Sequence, residues 1–407
     1  KFESIMMFRF LVLALPILFN SHYPLAFQPL IITHHGETFV GVNVASERVR
    51  LNSVRSSQDS EDIFAAVRRK EYELQKVKQQ HQRTTDPVQM AMGYAEQSIP
   101  KLRVAKALRR VYDDEENPAN PNAKQPTQEE LDRQEKMKEI GMQQVGMRRG
   151  SFIVDIKRKS LSQPGNQYCN FDDAGMVAEA MVQLGADAVF INVDYKAYGG
   201  DMTELKSAVK AVRKISDKAA VIMKDIIVDE IQLGLAKEAG ADGVVLMASV
   251  LGPSLSNFLD LATIIGLEAI VECHTKNEVE RAIELVAQNI MVTNYDRVTC
   301  QYFHKQAIQL AGLFPGSGGP IISIAGGGIE TTEQMKRLLA VGYDGVVVGK
   351  AAMGSTRAPE FIRAVRDRTL LPAELSQWGI DAEFDPDGNV MPGPRDVIGQ
   401  NDPSAYR

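Results

Sequence analysis

From Ser151 to about Thr369, short apolar, β-branched runs alternate with amphipathic stretches. Eight of the runs read as strands: 151–157, 187–193, 219–224, 242–247, 268–272, 288–293, 320–325 and 344–348. Each is apolar on both faces, the pattern of a parallel sheet covered on both sides. Helical periodicity follows most of them, as in Asp172–Leu184, Met202–Lys214, Asp229–Glu238 and Thr332–Ala340. An internal echo marks the joins: Gly185-Ala186-Asp187, Gly240-Ala241-Asp242 and Gly342-Tyr343-Asp344 each close a helix and open a strand. Glycine there supplies the left-handed helix stop. Eight such units predict an α/β fold, a TIM (β/α)8 barrel, over a doubly wound open sheet. Nucleotide motifs are missing from the joins. Gly345-Val-Val-Val-Gly349-Lys350-Ala351 is one residue short of a P-loop and lacks its Ser/Thr, and no G-x-G-x-x-G follows the first strand.

The chain ahead of the barrel has another texture. Residues 61–112 are charged and helix-forming, with Ile63, Val67, Tyr72, Leu74 and Val77 at roughly helical spacing. Within them Lys101–Arg110 reads as a solvated basic helix face. Residues 113–128 form a polar linker and 129–145 a further helix. Residues 375–407, rich in Pro, Gly and Asp, read as irregular surface. At the other end, Lys1–Ile5 reads as a leader with Met6 or Met7 as the start, and Phe10–Phe19 is the apolar centre of a signal peptide. That run contains Pro16 and is too short to span a bilayer. Residues 28–60 carry many serines and Arg48, Arg50 and Arg55 against few acids. With Ala26-Phe27 as the junction, the segment resembles the bipartite plastid-targeting sequences of algae with secondary plastids. A plain secretory signal is the alternative. The expected layout is targeting segment 1–60, helical extension with linker 61–150, barrel 151–370 and tail 371–407.

Composition narrows the function. Of 407 residues 44% are hydrophobic and 24% charged, as in an ordinary soluble globular protein. A formal net charge of −6 supplies no global basic field for nucleic acid. Three cysteines cannot make a disulfide framework, which favours a reducing or stromal compartment over secretion. No membrane association of the mature form is expected. The extension and tail are candidate surfaces for a protein partner.

Barrel enzymes carry their chemistry at the C-terminal ends of the strands. The first strand ends Val154-Asp155-Ile156-Lys157, whose alternation points Asp155 and Lys157 into the mouth. The third ends in Lys224, the fifth in Glu272, and the sixth runs into Asn294-Tyr295-Asp296-Arg297. Two lysines and a carboxylate sharing one cavity perturb each other's proton affinity, as acid–base catalysis requires. After the seventh and eighth strands come Gly326-Gly327-Gly328 and Gly349-Lys350. Bare N–H groups there can close on a phosphate. Cys300 and His304 stand four apart on an expected helix, but no third ligand has a plausible spacing, so no metal is assigned.

These residues resemble the indole-3-glycerol-phosphate synthase family. The likeness covers about 153–355 and is carried by Ile153-Val-Asp-Ile-Lys-Arg-Lys-Ser160, the Asp194-Tyr195-Lys196-Ala197-Tyr198-Gly199-Gly200 loop, Met223-Lys-Asp-Ile-Ile-Val-Asp-Glu-Ile-Gln232 and Leu267-Glu-Ala-Ile-Val-Glu-Cys-His274. The family closes an indole ring on 1-(2-carboxyphenylamino)-1-deoxyribulose 5-phosphate with loss of carbon dioxide and water. The resemblance implies that Lys224 is the general acid, Glu272 the acid–base carboxylate and Lys157 a substrate contact that assists dehydration. It implies that Tyr198 lies against the anthranilate ring, that Gly328, Gly349 and Lys350 form the phosphate site, and that Asp155, Ser160, Asn294, Arg297 and Gly327 also bind substrate. It implies a small phosphorylated substrate and no cofactor.

Four departures from the family stand out. Ser160-Leu161-Ser162 replaces Ser-Pro-Ser, Asp155 replaces Glu, Asp296 displaces Arg297 by one position, and Gly326-Gly327-Gly328 replaces Glu-Ser-Gly. Restoring the hydroxyl with Gly327→Ser is expected to be tolerated. The glycines keep two alternatives open: a barrel enzyme for another phosphorylated substrate, and a non-catalytic plastid protein.

Overall fold

The computed structural model describes residues 30–34, 37–41, 61–81, 86–96, 100–109, 128, 150–161, 169–314, 320–353 and 357–366. Most of the targeting segment and of the polar linker, the expected helix 129–145 and the tail 371–407 lie outside the described residues. Strands β1 (Leu30–His34) and β2 (Glu37–Gly41) pair antiparallel. Helices α1 (Ile63–His81), α2 (Pro87–Glu96) and α3 (Arg103–Leu108) precede the barrel. On α1 the pattern holds for Ile63 and Leu74, which are buried, while Tyr72 is exposed.

The barrel strands are β3 (Ser151–Ile156), β4 (Ala188–Asn192), β5 (Ala220–Lys224), β6 (Gly243–Met247), β7 (Glu268–Cys273), β8 (Asn289–Thr293), β11 (Ile322–Gly326) and β12 (Gly345–Val348). They close in that order, each parallel to its neighbours, with β12 returning to β3. A small hairpin, β9 (Tyr295–Asp296) with β10 (Gln301–Tyr302), follows β8. The remaining helices are α4 (Ala174–Leu184), α5 (Tyr195–Tyr198), α6 (Met202–Ile215), α7 (Ile231–Glu238), α8 (Ala248–Leu251), α9 (Leu255–Ile264), α10 (Lys276–Glu284), α11 (Gln306–Leu310), α12 (Thr332–Ala340), α13 (Lys350–Met353) and α14 (Ala358–Arg366).

The repeated Gly-x-Asp join has a physical function. Gly185 and Gly342 take φ of 110° and 117°, open to glycine and strained for other residues. The following aspartate then clamps the preceding strand. The Asp187 N–H donates to the Phe152 carbonyl at 2.9 Å while its carboxylate accepts from the Phe152 N–H at 2.9 Å. Asp242 does the same with Val221, and Asp344 with Ser323.

Strand alternation divides the core in two. Val154, Ile156, Val189 and Ile191 face the helices, whereas Ile153, Phe190, Ile222, Ile270 and Ile324 fill the barrel. The interior layer also holds Val104 and Leu108 of α3, both fully buried. Lys101–Arg110 is therefore more than a solvated face: α3 plugs the floor of the barrel. Glu268 receives the Val104 and Ala105 N–H groups at 2.7 and 2.8 Å, and Arg103 pairs with Asp242 at 2.6 Å. Burying two such aliphatic side chains is worth roughly 1.5–3 kcal/mol each.

Candidate active site

Side chains at the strand ends form a row of alternating charge across the barrel mouth. Lys157 Nζ pairs with Asp155 Oδ2, which lies 4.0 Å from Lys224 Nζ. Lys224 Nζ is 3.0 Å from Glu272 Oε2, and Arg297 Nε donates to Glu272 Oε1. Asn192 fixes the other Asp155 oxygen with a 2.6 Å hydrogen bond. Phe190 lies under the Lys224 amine, 5.5 Å from ring centroid to nitrogen. Lys224, Glu272, Asp155 and Arg297 are all buried.

Burial would raise the Glu272 carboxyl, but Arg297 and then Lys224 outweigh it and hold the group at about 2. Asp155 is likewise held well below the usual carboxylate range, burial being outweighed by Lys157 and Lys224. Burial, with Lys224 and Arg297 beside it, draws the Lys157 amine below the ordinary lysine value despite Asp155. The mouth thus keeps carboxylates ionised in an enclosed setting where a charge developing on a ligand is strongly felt.

A cavity of about 430 Å³ opens over this row. Asp155, Lys157, Ser160, Lys224, Glu272, Arg297, Gly327, Gly328, Gly349 and Lys350 all line it. A Cβ placed at Gly349 would sit 3.7 Å from the Asp155 Cβ, so the glycine end and the charged row are continuous. The displaced Arg297 still reaches Glu272, because Asp296 spends its carboxylate on the Val298 N–H and Thr299 hydroxyl and turns the chain inward.

Two expected ligand contacts fall elsewhere. Tyr198 is fully buried outside the cavity wall, in an apolar cluster with Ile63, Ala66, Leu161, Ile226 and Met247. Its ring supports Lys157 at 5.9 Å instead of presenting a face to a ligand. Asn294 spends its amide on backbone, donating to the Gly327 carbonyl at 3.1 Å and accepting from Ala307 N–H at 2.9 Å. It shapes the glycine loop from behind. Tyr302, Glu330 and Arg357 line the cavity and were not anticipated, and Tyr295, read only as part of the run after the sixth strand, joins them; the β9–β10 hairpin, the turn after β11 and the start of α14 that carry them have no periodicity to reveal their path. The expected helix bearing Cys300 and His304 is a turn and a strand pair, with Cys300 at φ 57°.

The glycines differ from one another in kind. Gly327 has φ 84°, and a Cβ there would lie 2.6 Å from Thr293 Oγ1 and 2.8 Å from the Asn294 nitrogen. The expectation that Gly327→Ser is tolerated is thus overturned: the hydroxyl's carrier has no room. Gly328, at φ 69°, lies under the Tyr302 ring, whose Cε1 would be 3.1 Å from a Cβ. A Cβ on Gly326 would point into the barrel toward Val347 and Met291.

Helix α1 braces the same rim. Lys70 is buried with its amine 2.6 Å from Asp194 and 2.8 Å from Asp225, the residue after Lys224. Arg69 also grips Asp194 and Glu61, and Gln232 holds the second Asp225 oxygen at 2.8 Å. The Lys-Asp-x6-Gln spacing is therefore a brace on the strand carrying Lys224. Among the described residues no group of three metal-ligating side chains occurs.

A family model described as Indole-3-glycerol phosphate synthase matches residues 105–365. The chain is similar to the indole-3-glycerol phosphate synthase of Chloroherpeton thalassium, at 33% identity over 207 residues, covering 51% of this chain and 76% of the relative. It is similar to that of Methanocaldococcus jannaschii at 32% over 212 residues, covering 52% and 76%. A third relative, from Thermoanaerobacter pseudethanolicus, is 32% identical over 203 residues, covering 50% and 74%.

Proposed function

The chain belongs to the indole-3-glycerol phosphate synthase family, and from that premise we propose how its own residues carry out the reaction. The enzyme is a carboxy-lyase of tryptophan biosynthesis that acts on 1-(2-carboxyphenylamino)-1-deoxyribulose 5-phosphate. Its phosphate binds at Gly328, Gly349 and Lys350. Lys224 gives its proton to the ribulose carbonyl oxygen as the ring carbon bearing the carboxylate attacks. The new carbon–carbon bond forms, and the carbon–carboxylate bond then breaks to release carbon dioxide and restore the aromatic ring. In the second half the hydroxyl leaves as water, assisted by a proton from Lys157, and a ring proton is lost to give the indole. Glu272, already ionised, stabilises positive charge developing on the anilino nitrogen and accepts a proton.

The observation that carries this reading is the 3.0 Å approach of Lys224 to Glu272 in a cavity shared with the glycine loops. Complementation of a tryptophan auxotroph lacking this step tests it: growth is expected with the wild-type chain and not with Lys224→Ala. Equal growth of both would remove Lys224 from the mechanism. Failure of the wild type, with the protein expressed, would favour another phosphorylated substrate, the alternative that Gly326 and Gly327 motivate.

Localisation in a plastid stroma is part of the proposal, supported by the Phe10–Phe19 run, Ala26-Phe27 and the serine-rich stretch after it. Residues 6–60 fused to a fluorescent reporter in a diatom should send it to the plastid; secretion or a cytosolic signal would refute this. The tail 371–407 is proposed as the surface for a protein partner, since α1 and α3 of the extension are already engaged with the barrel.

A further inference from the structure

The loop after the seventh barrel strand brings no side-chain donor to its end of the cavity. Gly326, Gly327 and Gly328 offer only backbone, and Lys350 follows Gly349 at the last strand. A side-chain donor cannot be added at Gly327, where a Cβ has no room. A phosphate dianion bound by N–H groups alone would keep much of its charge uncompensated. The wall of the cavity supplies a compensation: five cations, Lys157, Lys224, Arg297, Lys350 and Arg357, stand against three carboxylates, Asp155, Glu272 and Glu330. Four of these eight groups, Asp155, Lys224, Glu272 and Arg297, are committed to the buried row, with Lys157 attached to Asp155.

Arg357 is differently placed. Its carbonyl receives the Glu360 and Phe361 N–H groups at 3.0 Å, so it begins α14. That helix is anchored by buried Ala358, Phe361, Ile362 and Val365, with the Phe361 ring stacked on Phe152 of β3 at 6.2 Å. The backbone of Arg357 is thus fixed relative to the barrel. Its side chain is half exposed and weakly held: Glu360 Oε2 is 4.0 Å away, at an equally exposed position, and the guanidinium lies 5.6 Å from the Phe361 ring centre. A bidentate donor on a fixed base, bordering a cup of bare glycines, has the geometry to take a phosphate oxygen pair.

We propose that Arg357 is a phosphate-binding residue of this site and that, together with Lys350, it replaces by charge the hydroxyl recognition that the glycine loop cannot provide. The assignment rests on the reaction assigned above and adds to it the source of phosphate affinity. The cup then selects for a dianionic terminal phosphate over an uncharged sugar end, and its binding weakens with salt.

Steady-state kinetics of the full chain, with Arg357→Met and Arg357→Lys, tests this. Met keeps the stem over Phe361 and removes the charge; Lys restores the charge without the fork. Arg357→Met should raise KM about tenfold, the low end for loss of a charge-assisted hydrogen bond at a half-exposed position, with the loss falling on KM rather than kcat. Competitive inhibition by inorganic phosphate should weaken by the same factor, and kcat/KM should become less sensitive to salt. Arg357→Lys should recover most of the affinity. Unchanged KM and unchanged phosphate inhibition in a folded Arg357→Met protein would overturn the assignment. If the wild type forms no indole product, the family reaction fails for this chain, yet calorimetric titration of inorganic phosphate into wild type and Arg357→Met still decides the role of Arg357. Equal affinities in that titration would overturn it.

Discussion

Replacing Lys70 by Met removes a buried amine that joins the N-terminal helix to the barrel rim. The amine sits 2.6 Å from Asp194 and 2.8 Å from Asp225, and all three groups are buried. Met fills similar volume, so the perturbation is chiefly electrical. Asp194 retains Arg69, but among the described residues Asp225 keeps only Gln232 and the Ile226 N–H. The triad is unsymmetrical: burial pushes the Asp225 carboxyl up, with Lys70 opposing and neighbouring Asp194 adding to the rise, whereas at Asp194 burial is outweighed by Lys70 and the hydrogen bonds, which bring it down. Burial would lower the Lys70 amine, but the two carboxylates outweigh it and raise it above the ordinary lysine value. A raised amine contributes stability that is complete below its unfolded value and lost only as pH rises through the folded one. Its full contribution is therefore present at neutral pH. Breaking one side of a buried pair costs about 3–5 kcal/mol. At about 2–4 °C per kcal/mol for a domain of this size, the melting temperature should fall by roughly 6–20 °C. Circular dichroism melts of the full chain at pH 7 measure it. Adding Asp225→Asn should return part of the loss, since the uncompensated charge goes with it. A fall of under 2 °C, or a double variant no better than the single, would show that the amine is not a structural counter-charge.

Lys224→Ala should lower kcat by about two to four decades, the range for loss of a general acid, with the fold retained because Glu272 keeps Arg297 and Asp155 keeps Lys157; near wild-type turnover would remove Lys224 from proton transfer. Gly327→Ser should cost roughly 1–3 kcal/mol through its left-handed backbone, and more from the 2.6 Å approach to Thr293; a melt at or above the wild-type value would contradict the geometry. Arg297→Met removes the strongest influence holding Glu272 at about 2, so the acid limb of kcat/KM should move to higher pH; an unmoved limb would mean that Glu272 does not set it.

The barrel was legible because its signal repeats. Eight apolar runs and three Gly-x-Asp joins constrain one another, and the observed strands begin and end within two residues of the expected positions. Lys157, Lys224 and Glu272 were legible for a related reason: strand alternation and a barrel's polarity fix where such residues must point. What escaped has no periodicity to betray it. Val104 and Leu108 are two apolar residues on a short basic helix, too few to signal a plug for the barrel floor. Lys70 looks like any lysine of a charged helix, since its carboxylates come from the ends of strands β4 and β5 far along the chain. Tyr198 and Asn294 were expected to touch the ligand, but depth cannot be read from spacing, and neither lines the cavity. One lies beneath Lys157 and the other behind Gly327. Arg357 and Tyr302 reach the cavity from an element start and a hairpin, where only three-dimensional closure brings them in.

The most direct measurement is a turnover assay of the purified chain with 1-(2-carboxyphenylamino)-1-deoxyribulose 5-phosphate, following indole-3-glycerol phosphate and carbon dioxide together. The account predicts one of each per substrate consumed, with Lys224→Ala slowed by at least about a hundredfold. A folded wild-type chain that binds the substrate and releases neither product would contradict it.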